Sequence, residues 1–386
     1  MRTRFSSLVV LLVLLGAAVP AAAQASSGRL TARYTAIPLT GVSRATLQAQ
    51  SSAGSTVHDW SGSIVSPVDG QTYQYTMVGK NPMVKESTPT TSVGVDLIPI
   101  KLVFNDGTLD PEVATAGCST KTPLALTTGS PVFGTHAYTA GGVSVGTHQY
   151  VDAFQRENFA HYVLGSGALN PKYNVNLSKK VGVEITVNVP AADGSIYTYS
   201  GSCPHLGEMD INWWDNYVRG TLLPSLESSG ATSVKRFPFF LFSNAVMYNG
   251  NTSNCCYLGY HGAVAVASGT QTYGVGEYDT NGLFSGISDI EVLSHEFGEW
   301  MDDPFVNNPT PAWGHIGQVS GCQTNLEVGD PLTDTTVTVK MGNGVTYHPQ
   351  ELAFFSWFYR QSPSIGVNGW YSSNDTFTTG AGPVCS

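Results

Sequence analysis

Charge is scarce in this sequence. Asp, Glu, Lys and Arg make up 12% of its 386 residues, about half the usual share. There are 18 Lys and Arg against 28 Asp and Glu, and no basic run, which argues against nucleic acid as a partner. There is no C-x-x-C pair, which speaks against a thiolate zinc knuckle or a thioredoxin-type site. Beyond residue 25 no apolar run approaches the length of a membrane span. Fixed-period repeats and charged or Pro-rich linkers are also missing, so nothing in the composition marks a domain boundary.

Hydrophobic residues are plentiful, at 41%, enough for a sizeable core and too many for a disordered chain. The 42 glycines, with abundant Ser and Thr, suit an extracellular, strand-rich protein. Residues 1–25 have the form of a signal peptide. Arg2 and Arg4 are followed by the apolar stretch 7–19 and by small residues that fit cleavage after Ala23 or Ala25. The expected product is a secreted chain with no membrane span. Its six cysteines (Cys118, Cys203, Cys255, Cys256, Cys322 and Cys385) then read as disulfides whose pairing the spacing leaves open. Cys255 and Cys256 are expected to bond to different partners, since a bridge between neighbours is strained.

Residues 26–92 read as a strand-rich N-terminal region. Within it, Gln71–Val78 alternates polar and large residues after the turn signal Val68-Asp69-Gly70. Val93–Phe104 reads as a buried strand ended by Asn105-Asp106-Gly107. Helical spacing appears over 150–164 and 211–226, the second bent or ended near Pro224. Strands are expected at 181–189 and 237–246. This mixture suggests an α+β fold, with 93–386 as the main domain. The aromatic residues, among them Trp213, Trp214, Trp300, Trp313 and Trp357, are expected in the core and not as a carbohydrate platform.

The segment that carries chemistry is Ser288–Pro304, SDIEVLSHEFGEWMDDP. Ser288 and Glu291 have the spacing of a capping box, and Pro304 ends the helix. Leu293, Phe297, Trp300 and Met301 share one face; Glu291, His295, Glu299 and Asp302 share the other. No Lys or Arg balances those acids. Like charges at this spacing repel, so a cation is expected among them. His295 and Glu299, at i and i+4, can reach one ion, and Glu296 is offset by about 100°, as the general base is in an H-E-x-x-H helix. Gly298 beside that face leaves room for another segment to approach. The motif is H-E-x-x-E, and Zn2+ accepts such mixed His and carboxylate ligands; Mn2+ or Ca2+ would also suit a carboxylate-rich site. The third ligand must come from elsewhere. Glu327, His315, Asp302, Asp303 and His261 are the candidates.

The C-terminal part, roughly 240–386, resembles the plant phosphate-induced (EXORDIUM-type) secreted proteins and their exported bacterial relatives. The matching order is Asn254-Cys255-Cys256-Tyr257, Asn281-Gly282, H-E-x-x-E at 295–299, Ala312-Trp313, Glu327-Val328-Gly329-Asp330, Ser356-Trp357-Phe358 and Cys385. The chain departs from the plant pattern in Gly329-Asp330-Pro331, where a Cys usually follows the Asp, and in having His315. The resemblance implies a zincin-like domain with His295, Glu299 and Glu327 as ligands and Glu296 as base. It also implies an extracellular growth or cell-wall factor.

Three functions compete on this reading. The first is an exported zinc metallopeptidase acting on protein or peptide, with Glu296 as base and His315 or a tyrosine stabilising the oxyanion. The second is a non-catalytic factor that binds a wall polymer or surface partner and keeps the ion for stability. A glycosidase using Glu296 and Glu299 ranks last, because two carboxylates three apart on one helix stand too close for the inverting geometry.

Overall fold

The computed structural model describes residues 30–115, 117–200, 203, 205–380 and 385; the expected signal peptide lies outside them. The chain is strand-rich, 37% strand against 21% helix, around a large, nearly closed mixed sheet of 11 strands. This corrects the expected zincin-like α+β fold, because the helices lie scattered on the faces of one dominant sheet. The physical reason lies in residues 251–278. Strand Asn251–Val266 pairs antiparallel with strand Gly269–Tyr278 to form the centre of the sheet. Its helix-facing positions include Gly259, Gly274 and Gly276, so the alternation of large side chains that announces a strand is muted there.

Strand Arg236–Ser243 shows how the sheet divides two cores. Successive side chains point to opposite faces, so Phe237, Phe239 and Leu241 join one core and Phe240 and Phe242 the other. Strand Thr90–Phe104 does the same with Val93, Val95 and Leu97 against Ile98, Ile100 and Leu102. It runs across residue 92, and the hairpin Asp59–Val65 with Thr72–Val78 shares the first core. Helix Ile211–Tyr217, continued through a π-turn to Ser228, covers the second core and passes Pro224 without ending.

Helix Glu291–Asp302, the site helix below, covers the first. Trp300 stacks on Phe237 at 3.9 Å between ring centroids, and Phe297 on Phe239 at 5.0 Å. Each such buried ring contributes about 2–3 kcal/mol. Every residue of this helix is buried, so its acidic face is not a solvated one. Gly298 admits Leu352, whose Cδ1 would stand 2.5 Å from an added Cβ. The capping box does not form. Glu291 instead receives the hydroxyl of Tyr34, and Ser288 lies beside His348. Tyr34 belongs to strand Arg33–Ile37, which runs parallel to Tyr257–Gly262.

The disulfides are Cys118–Cys203, Cys255–Cys256 and Cys322–Cys385. The neighbours Cys255 and Cys256 therefore bond to each other, contrary to expectation, since the other four cysteines are already paired. The large aromatics Trp214, Trp300, Trp313 and Trp357 are fully buried, as core packing requires, whereas Trp213 is only partly buried. No helix among the described residues is long and apolar enough to cross a membrane.

Candidate metal centre

The site is built where the site helix crosses the glycine-thinned sheet. At Gly259 an added Cβ would lie 2.7 Å from Glu296 Oε1, so only glycine lets the helix sit this close. Two residues on, His261 points to the same face and meets the helix side chains. Its Nδ1 is 3.4 Å from Glu296 Oε2 and 3.7 Å from Glu299 Oε2. A hairpin, Pro309–Ile316 with Val319–Asn325, then delivers the loop that carries Glu327 and Asp330. Gly329 in that loop packs on the His295 ring, where a Cβ would come within 2.4 Å of Nδ1.

His295 is fixed on both faces and at one edge. Tyr34 stacks on it at 3.6 Å between centroids. Its Nδ1 donates to Gln350 Oε1 at 2.8 Å, and the Gln350 amide nitrogen donates to the Gly329 carbonyl. That bond leaves the Nε2 lone pair facing inward, the arrangement that orients a metal-ligating histidine. Nε2 lies 3.1 Å from Glu299 Oε1 and 3.7 Å from Asp330 Oδ1. Two donors on a tetrahedral zinc stand about 3.4 Å apart, so these separations would fit ligands of one ion.

His261 donates from Nε2 to the Asp303 carbonyl at 3.2 Å, so its Nδ1 too carries a lone pair. His261 Nδ1, His295 Nε2, both oxygens of Glu296 and Glu327 Oε2 are buried without a hydrogen-bond partner. Among the described residues no Lys or Arg forms an ion pair with these groups. Burial drives the pKa values of Glu296, Glu299 and Glu327 far above the usual carboxylate range, and the carboxylates raise one another further. Burial also lowers His295, and takes His261 down to about 3. Each group thus resists its charged form, and a divalent cation would reverse that preference.

The donors fall into two sets that could hold a metal ion: His295, Glu299 and Asp330, and His261, Glu299 and Glu327. The residues expected from sequence are therefore distributed. His295 and Glu299 meet in the first set, while Glu327 joins Glu299 in the second with His261. Glu296 stands beside the second set, in neither. His315 stands apart, exposed on the hairpin with Nε2 3.7 Å from Cys322 Sγ. Asp302 bonds Gln155 and Asn158, and Asp303 accepts the backbone N–H groups of Asn307 and Asn308, so both are occupied structurally. Asp330 and Gln350 were not foreseen. The spacing of Glu327 and Asp330, three apart around a glycine, was the available signal for the first.

A cleft of about 610 Å³ opens above this cluster. Glu299, Glu327 and Asp330 reach into it, and residues 31–36 and 317–323 form its walls. Strand Arg33–Ile37 pairs with one strand only among the described residues, and on its cleft side the Tyr34 N–H and C=O are bonded to the Gln318 side-chain amide. Glu296 is fully buried and does not line it. No family model, curated protein or solved structure matches this chain, so its centre is characterised by its own side chains alone.

Proposed function

We propose that this chain is an exported, zinc-dependent hydrolase of peptide bonds. The observation that carries the proposal is the inward Nε2 lone pair of His295, fully buried and unpartnered, beside Glu299 and Asp330 beneath a cleft. A histidine nitrogen in each donor set favours Zn2+ over Ca2+, which takes oxygen ligands. The strand bordering the cleft supports a peptide substrate, because an extended chain could replace the Gln318 amide that bonds the Tyr34 backbone. The residues that build the cluster also include the ordered motifs resembling the phosphate-induced secreted proteins.

His295, Glu299 and Asp330 would hold the ion, which when bound acidifies water and polarises a carbonyl. Glu296 is the base: its unpartnered oxygens can take a proton and return it to the leaving amine. Tyr34 keeps the His295 ring in place. The test is cleavage of a peptide library by the secreted protein, with Glu296→Gln alongside. Activity should fall at least about 100-fold while zinc content is unchanged. A wild-type protein that binds zinc and cleaves nothing would overturn the catalytic reading. The second reading would then hold, a structural ion in a factor that binds a wall polymer or surface partner; the burial of Glu296 away from the cleft favours it.

A further inference from the structure

We infer that the centre holds two cations bridged by Glu299, with His261 and Glu327 completing the second position; this rests on the metal-binding reading above. The two oxygens of Glu299 face different histidines. Oε1 lies 3.1 Å from His295 Nε2, and Oε2 lies 3.7 Å from His261 Nδ1. The histidines do not fall into one donor set. Two donors on one zinc ion cannot stand further apart than twice the bond length, about 4.2 Å, so a single ion would leave one histidine unused.

The second set has its own unpartnered donors. His261 is fully buried, its Nε2 is spent on the Asp303 carbonyl, and its Nδ1 has no hydrogen-bond partner. Glu327 is anchored through Oε1, which accepts from Asn325 Nδ2 at 2.8 Å, while Oε2 is free. His261 Nδ1 faces Glu296 Oε2 at 3.4 Å and Glu299 Oε2 at 3.7 Å, a grouping that a cation would hold together. Glu296, Glu299, Glu327 and Asp330 together can supply four negative charges, enough to neutralise two divalent ions. A bridging carboxylate holds ions about 3.5–4 Å apart, the spacing of two-metal hydrolytic sites.

The experiment is zinc stoichiometry of the intact protein after zinc loading and dialysis, repeated with Mn2+ and read by electron paramagnetic resonance. Two ions per chain are expected, with an exchange-coupled manganese signal. His261→Ala, checked for folding by circular dichroism, should retain one ion and lose the coupling. His261→Gln should do the same while filling the space. One ion per chain in the wild type, unaffected by His261→Gln and lost in His295→Ala, would overturn the second position and leave the first intact. No ion at all would overturn both readings.

Discussion

On one face of the sheet, Asp215 of the helix that begins at Ile211 is 8% exposed and fully served. Its Oδ1 accepts from Tyr273 at 2.6 Å and Tyr260 at 3.2 Å, and Arg219 lies 3.3 Å from Oδ2. On the opposite face, Glu296 is fully buried and neither oxygen has a partner. Both helices pack on the same strands, and both bury a carboxylate under aromatic side chains. The chain supplies the donors for Asp215 and withholds them from Glu296, His295 and His261. Unsatisfied buried groups cost about 1–3 kcal/mol each, more when charged. The unpartnered atoms of Glu296, His295 and His261 lie together around one helix, and the two histidines belong to groups that could hold a metal ion.

The largest expected effect separates the two faces by chelation. Removing the ion should lower the melting temperature by roughly 10 °C, as expected when a tightly bound ligand is withdrawn. The loss should depend on pH. Burial raises Glu291 and Asp302 to about 7 and Asp279 to about 6. A carboxyl raised in the folded state contributes stability that is complete below its unfolded value near 4, and is lost as pH climbs through the folded value. His261, lowered to about 3, contributes the other way, adding stability above about 6.5 that is lost as pH falls. The raised carboxyls outnumber it, so metal-free protein should weaken between pH 4.5 and 7. The loaded protein should strengthen over the same range, because ligands bind metal deprotonated. Melting curves with and without chelator at pH 5 and 7.5 should diverge at the higher pH; parallel curves would remove the contrast between the faces.

A smaller effect is expected one step out from the ligands. Gln350→Leu removes the acceptor that fixes His295 Nδ1 while keeping the side chain's bulk. Metal affinity should fall about 10- to 100-fold, the usual cost of losing a histidine's orienting partner. Competition with a chromophoric chelator measures it. An unchanged affinity would mean that Tyr34 and Gly329 hold the ring without Gln350.

The two faces also differ in how far they could be read from sequence. The apolar core declared itself, since 93–104 and 237–246 carry the large residues that make a buried strand legible. The site helix was legible for a related reason: its amphipathic pattern, ended by Pro304, carries four acids without a single Lys or Arg. The hairpin beneath it was not, because the glycines that let Glu296 and Val292 approach erase the strand pattern. With the hairpin unread, His261 had no face to belong to. The same gap hid the dominance of the sheet and led to the α+β expectation. Gln350 depends on how a loop is seated, which spacing along the chain does not encode.

The smallest effect belongs to the satisfied face. Asp215→Asn keeps a carbonyl oxygen for the two tyrosine hydroxyls and gives up only the charge facing Arg219. That guanidinium is 34% exposed, where an ion pair is worth at most about 1 kcal/mol. The variant should therefore lose about 1 kcal/mol in a denaturant titration, and the loss should be the same with and without chelator. Sites far apart that share no partner add independently, and the sheet lies between Asp215 and the metal centre. A chelator-dependent loss would show that Tyr260, whose chain neighbours are Gly259 and His261, transmits strain from one face to the other. The sheet would then couple the two cores it otherwise divides.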